Sequence, residues 1–240
     1  MPNPTAAMLV IGDEILSGRT RDSNMYHLAG ELTHIGIDLA EVRVVSDDAD
    51  AITGAVRALS DGFDMVFTSG GIGPTHDDIT AENVARAFGV PISVRDDARA
   101  LLEAHYARTG SELNESRLRM ARIPDGATLI DNPISAAPGF TLGNVHVMAG
   151  VPAIFEAMLA SILPTLVGGA PLLSQSLQIF RGEGDIAGPL GDLADRYPDL
   201  GIGCYPFQRD GIFGAQVVIR GQDGARVDAA ISELNAMFPA

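Results

Sequence analysis

The chain has 240 residues, 46% of them apolar, and a formal net charge of −15; its 16 cations are all arginine. This composition supports one sizeable core with room for a second small one, and it excludes a nucleic-acid binder, because phosphate backbones attract basic surfaces. The single cysteine, Cys204, excludes an intramolecular disulfide and reads as an inert thiol, and no stretch has the charge pattern of a signal peptide or the ~18 apolar residues of a membrane span, so a cytoplasmic location away from membranes is expected.

In chain order, "AAMLVIG" (6–12) reads as a buried strand with Asp13 and Glu14 at its carboxyl end. Residues 22–35 place Met25, Leu28, Ala29, Leu32 and Ile35 at helical spacing, with Asp22 or Ser23 as cap and Gly36 as stop. "IDLAEVRVVSDD" (37–48) is a strand ending at Asp47 and Asp48, and the helix after it carries Ile52, Ala55, Val56 and Leu59 on one face. "DMVFTS" (64–69) is a third buried strand, followed by a loop and a helix over 81–88 capped by Thr80 and stopped by Gly89. This alternation of strands and helices predicts an open parallel sheet wound by right-handed crossovers.

Residues 96–122 read as one or two helices with Leu101, Leu102, His105 and Leu113 turned inward. Residues 127–140 are a strand and a proline-rich loop, and Gly143-Asn144 is a hairpin turn between "FTL" and "VHVM". Pro152 opens a helix that closes at Pro164, with Ile154, Phe155, Met158, Leu159, Ile162 and Leu163 as its core face. "PTLVGGAP" (164–171) reads as a linker between a domain over 1–167 and a small α+β domain over 171–240, built strand, helix, strand, strand, helix.

Ligands of open parallel sheets sit beyond the carboxyl ends of the strands, where strand order reverses. Asp13, Asp47 and the loop in "TSGGIGPTHDDIT" (68–80) fall there. Gly70, Gly71 and Gly73 let backbone N–H groups approach an anion, and the helix starting near Thr80 directs its N-terminal partial charge the same way. The loop has neither the Gly-Lys-Ser/Thr ending of a Walker P-loop nor a GxGxxG spacing. Asp77 and Asp78 beside an anion cradle without lysine point to a divalent cation between the acids and a phosphate. The same acids also have a plainer reading, as a helix cap and as polar strand ends. His76 lies in the loop within reach of a ligand, whereas His27, His34, His105 and His146 read as helix-surface or strand residues. Arg117, Arg119 and Arg122 read as a solvated face from which one could reach a phosphate.

Four segments, "GDEILSGRTRDSN" (12–24), "TSGGIGPTHDDIT" (68–80), "NPISAAPGF" (132–140) and "AGVPAIFEAM" (149–158), resemble in order and spacing the molybdopterin-binding MoaB/Mog domain, most closely the N-terminal domain of CinA proteins. The resemblance covers about residues 6–165 and implies an α/β fold, a three-layer α/β/α domain with a mostly parallel sheet, often in a homo-oligomer, that binds a pterin phosphate or a nucleotide. For the CinA-like branch it implies a pyrophosphatase acting on ADP-ribose or a related dinucleotide to give AMP. The cofactor would be a divalent metal (Mg, Mn or Co), with potassium activation in relatives. For the Mog relatives it implies adenylyl transfer to molybdopterin, and a non-catalytic pterin- or nucleotide-binding module is the third alternative.

Together the motifs and the resemblance give Asp78, Asp47 and Asp13 as catalytic residues and Asp13, Glu14, Asp47, Asp77 and Asp78 as metal ligands. Gly12, Ser69, Gly70, Gly71, Gly73, Pro74, Thr75, Thr80, Pro138 and Gly139 would bind the substrate. The chain departs from the CinA pattern at Ser135-Ala136-Ala137, where Gly-Thr-Ala is usual, and at "MAGVP", where "LPGVP" is usual. The amidohydrolase domain of CinA proteins has no counterpart in these 240 residues, so deamidation of nicotinamide mononucleotide is not expected.

Overall fold

The computed structural model describes residues 2–209 and 211–239. The chain divides into two compact units, Met1–Gly169 and Ala170–Ala240.

The first unit is built on six strands: β1 (Thr5–Ile11), β2 (Asp38–Val45), β3 (Met65–Ser69), β6 (Thr128–Ile130), β7 (Gly139–Leu142) and β8 (Val145–Met148). Their order is β2-β1-β3-β8-β7-β6; the first four run parallel, and β7 is antiparallel to both its neighbours. β1 shows why the sheet is covered on both sides. Its apolar run alternates faces, sending Ala7, Leu9 and Ile11 into one core and Ala6, Met8 and Val10 into the other. The first core receives Ile52, Val56 and Leu59 from α3 (Ala49–Gly62), Val84 from α4 (Thr80–Phe88) and Leu102 from α5 (Asp96–Thr109). The second receives Leu28 and Leu32 from α2 (Asn24–His34), and Phe155, Met158, Leu159 and Ile162 from α7 (Pro152–Ile162). The result is the expected mostly parallel α/β/α arrangement.

Local chemistry sets the helix ends. Asp22 accepts a hydrogen bond from the Met25 amide, and Asp48 accepts from the amides of Asp50 and Ala51; each satisfies N–H groups that the first turn leaves without partners. Thr80 does not cap α4 as the sequence suggested. It is the first helical residue, fully buried, and its hydroxyl donates to the Gly70 carbonyl at 3.0 Å. Met25 and Leu101, expected inward, are exposed, because α2 and α5 bury only a narrow stripe around Leu28 and Leu102. The short pair β4 (Ile92–Val94) and β5 (Arg122–Pro124) was not foreseen, and it brackets α5, α6 (Glu115–Leu118) and a 3₁₀ turn over Arg119–Ala121. The linker reading for 164–171 is too long at its start: Thr165 continues a 3₁₀ turn, and the Gly169 amide donates to the Gly36 carbonyl at 2.9 Å.

The second unit follows the predicted order: β9 (Leu173–Ile179), α8 (Glu183–Arg196), β10 (Gly201–Arg209), β11 (Ile212–Gly221) and α9 (Gly224–Met237). Its antiparallel sheet, β10-β11-β9, packs Ile179, Val217 and Ile219 against Ile186, Leu193, Val227 and Leu234. Cys204 is half-buried there, and burial followed by the charge of Glu183 pushes its thiol up. Among the described residues no helix is long and apolar enough to cross a membrane.

Candidate functional site

From β1 the chain moves outward to β2, then returns past β1 to β3, so strand order reverses between β1 and β3. The segments leaving the carboxyl ends of these strands, with the β6–β7 loop and residues 149–152 after β8, enclose a cleft of about 540 Å³. This is the position where open α/β sheets bind ligands. One-turn α1 (Asp13–Leu16) starts at its rim.

The glycine loop is held rigidly. The Gly70 amide donates to the Met148 carbonyl at 3.2 Å, and the Thr80 amide to the Gly71 carbonyl at 2.9 Å. Gly70 has a φ of 109°, and a Cβ there would lie 2.2 Å from the Ile11 carbonyl oxygen. Because that neighbour is backbone of a central strand, Gly70→Ala is expected to destabilise the protein by roughly 2 kcal/mol or more, measured by urea unfolding.

Acids line the same cleft, two of them on the loop itself. Asp78 closes the loop on itself, accepting from the Thr75 amide at 2.8 Å and from the Thr75 hydroxyl. Asp47 accepts from the Asp13 amide at 3.0 Å. Burial pushes the Asp47 carboxyl up from its ordinary value; the Asp13 N–H offsets part of this, and the charges of Asp13, Glu14 and Asp77 push it further. The Glu14 carboxylate lies against Gly12, where a Cβ would meet its oxygen at 2.6 Å. Among the described residues no three His, Cys, Asp or Glu side chains are already gathered into a cation cage.

Of the residues singled out from the sequence, Gly12, Glu14, Asp47, Gly70, Gly71, Gly73, Pro74, Asp77 and Asp78 line the cleft. Asp13 does not; its side chain is exposed at the start of α1, and its contribution is the amide held by Asp47. Ser69 and Thr80 are buried, with hydroxyls used inside the fold by Asn24 and Gly70. Thr75 is exposed and bound to Asp78, His76 is exposed, Gly139 is buried within β7, and Pro138 walls a narrow recess beside the cleft.

Sequence reasoning passed over Asn24 and Asn132. Asn24 is 3% exposed, and its Nδ2 donates to Ser69 Oγ at 2.7 Å and to the Gly150 carbonyl at 2.8 Å. It thereby ties α2 to the ends of β3 and β8. Asn132 lines the cleft and uses its whole carboxamide on its own loop: Nδ2 donates to Ser135 Oγ and the Ala137 carbonyl, while Oδ1 accepts from the amides of Ile134 and Ser135. A single Asn gives no signal in a sequence when its partners are either far away or in an irregular loop. Within that loop Ala136 has a φ of 59°, the sole positive φ of a non-glycine residue among those described. Because a left-handed residue with a Cβ is strained by about 1 kcal/mol or more, Ala136→Gly is expected to raise stability by about 0.5 kcal/mol after the entropic cost of glycine, read as a higher urea midpoint.

Comparison with known proteins extends the geometry. Residues 7–168 match the family described as probable molybdopterin binding domain, and residues 171–240 match the FAD synthase middle domain. A CinA-like protein of Citrifermentans bemidjiense is 40% identical over 167 residues, covering 68% of this chain and 40% of that protein. A probable FAD synthase of Caenorhabditis elegans is 31% identical over 259 residues, covering 98% of this chain and 50% of that protein. The chain thus spans half or less of the length of these two relatives. The crystal structure of the protein CinA from Thermoplasma acidophilum, at 35% identity, superposes with a TM-score of 0.62 over 68% of this chain and 97% of that one. The chain belongs to the MoaB/Mog-type molybdopterin-binding domain family and has CinA-like homologues, and the unit behind that domain is similar to the FAD synthase middle domain.

Proposed function

We propose that the cleft hydrolyses the diphosphate bond of a dinucleotide, ADP-ribose or FAD, releasing AMP. The observation that carries this reading is the lining of one cleft by both a glycine loop and the carboxylates Glu14, Asp47, Asp77 and Asp78. A glycine loop of this kind receives phosphate oxygens, and four acids lining the same cleft favour a cation beside them. The FAD synthase likeness over nearly the full chain adds FAD to the dinucleotides worth testing.

The residues fit a divalent metal. Asp47 sits among Asp13, Glu14 and Asp77 with its carboxyl pushed up, a repulsion that a cation relieves. Mg²⁺ typically takes one or two carboxylates and completes its shell with water and substrate phosphates, which agrees with a set of acids not gathered into a closed cage. One or two of Asp47, Glu14, Asp77 and Asp78, the acids lining the cleft, would hold it. When bound, such an ion supplies Lewis-acid polarisation of a phosphoryl oxygen and lowers the pKa of water.

The chain's own groups do the rest. The backbone of Gly70–Pro74 positions the diphosphate, and the Thr75–Asp78 hydrogen bonds keep that loop closed. The protons of the attacking water are released to solvent at neutral pH. Water oxygen bonds to one phosphorus and the bridging P–O bond breaks, so ADP-ribose and water give AMP and ribose 5-phosphate. The test is incubation with ADP-ribose and, separately, FAD in Mg²⁺, Mn²⁺ or Co²⁺ plus potassium, following AMP by chromatography. Silence in every metal rejects the reading. The family match also favours a second reading, adenylyl transfer to molybdopterin, which requires ATP consumption that depends on added pterin.

A further inference from the structure

We infer that Arg119 is the cation that binds the diphosphate in this cleft, an assignment that rests on the dinucleotide reading above. The glycine loop shares its cleft with four carboxylates and the chain contains no lysine, so any side-chain charge that joins a metal ion in balancing a diphosphate comes from arginine. Three arginines stand on the segment that brings Met120 to the cleft. Arg122 is paired with Glu82, and Arg117 lies over the Tyr106 ring at 4.7 Å and donates to the Glu112 carbonyl. Arg119 has no carboxylate partner among the described residues.

Its position is fixed. Arg119 opens the 3₁₀ turn over Arg119–Ala121, in which Ala121 is fully buried, and its Nη2 donates to the Asp78 carbonyl at 3.3 Å. Of the two acids that wall the same recess, Glu82 is taken by Arg122 and the Asp78 carboxylate is turned to Thr75. The Nε of Arg119 is buried and has no acceptor among the described residues. A buried donor left in this way is uncommon and calls for a water or ligand to complete it. Arg119 walls a recess of about 20 Å³ together with Gly71, Gly73 and Asp78, residues that also line the main cleft. That is room for one water-sized group, the size of a phosphate oxygen. The guanidinium suits such an oxygen because its planar fork matches phosphate geometry and its charge does not titrate. Asp78 then sets both halves of the anion site, steering Arg119 through its carbonyl and closing the loop through its carboxylate.

The test uses the full chain and calorimetric titration with inorganic pyrophosphate in Mg²⁺, beside steady-state hydrolysis of ADP-ribose, for the wild type, Arg119→Lys, Arg119→Gln and Arg119→Ala. Arg119→Ala is expected to weaken pyrophosphate binding by about 10-fold or more and to raise KM for ADP-ribose in step. Lys, which restores the charge, should recover part of the affinity, and Gln, which restores only the hydrogen bond to the Asp78 carbonyl, should not. The assignment is overturned if wild-type protein does not bind pyrophosphate, if Ala binds as well as wild type, or if Gln equals or exceeds Lys. Pyrophosphate binding that follows this order without AMP release from any dinucleotide would uphold Arg119 and reject hydrolysis.

Discussion

Asp78→Asn is expected to lower AMP release from ADP-ribose by about 10²-fold or more, the size of loss seen when a group that stabilises charge in the transition state is removed. The amide keeps an oxygen to accept from the Thr75 N–H and hydroxyl, the bonds that now close the loop, so the fold should survive and the urea midpoint should move little. What the substitution removes is the negative charge at the mouth of the cleft. Thr75→Val separates the two roles, because it deletes the hydroxyl donor and leaves the Asp78 charge. That variant should retain activity within about 10-fold of wild type. Near-full activity in Asp78→Asn would remove this residue from the chemistry, and equal losses in the two variants would reduce Asp78 to a loop fastener.

The second large effect concerns stability and pH. His146 lies in β8, 9% exposed, stacked on Phe67 with ring centroids 5.0 Å apart and with Nδ1 2.9 Å from the Thr141 hydroxyl. Burial lowers its pKa from 6.5 to about 4. A histidine depressed in the fold is neutral there and gains a proton more easily when the chain unfolds. Its contribution is therefore fully present above about pH 6.5, declines as pH falls from there, and levels off below about pH 4. The whole span is worth roughly 3 kcal/mol, from about 1.4 kcal/mol per pH unit. Urea unfolding at pH 7 and pH 4.5 should show wild type losing about 2.5 kcal/mol more than His146→Phe, whose residue 146 cannot titrate. Only the difference between the two pH dependences matters, so the variant's own stability does not affect the outcome. Parallel losses would mean that water reaches the imidazole in the native state.

Much of the cleft was legible from sequence because strand periodicity is a strong signal and parallel βα topology brings the carboxyl ends of its strands to one edge. Knowing that residues 6–12, 37–48 and 64–69 are strands is enough to gather Glu14, Asp47 and the glycine loop. Side-chain direction was not legible. Asp13 and Glu14 are adjacent, yet one faces solvent and the other lines the cleft, because α1 begins between strand and loop and rotates them apart. Thr80 reads as a cap from its neighbours, but its hydroxyl is taken by a carbonyl ten residues earlier. Asn24 finds its partners 45 and 126 residues away, and spacing rules do not reach that far. Arg119 could not be told from Arg117 and Arg122 until their partners were visible.

The carboxamide of Asn132 performs for residues 134–137 the task that strand pairing performs elsewhere in the sheet, since it holds the backbone at both ends of the loop. Shape and chemistry are therefore specified largely by different residues. As long as position 132 supplies its donors and acceptors and residue 135 an acceptor for Nδ2, the side chains of Ile134 and Ala137 can change without moving the wall they form. The substitution of Ser135-Ala136-Ala137 for the usual triplet does both: the Ser135 hydroxyl joins the frame, and Ala136 alters the surface offered to a substrate. A lineage could retune what the cleft accepts one loop residue at a time, without repeating the work of building the fold around it.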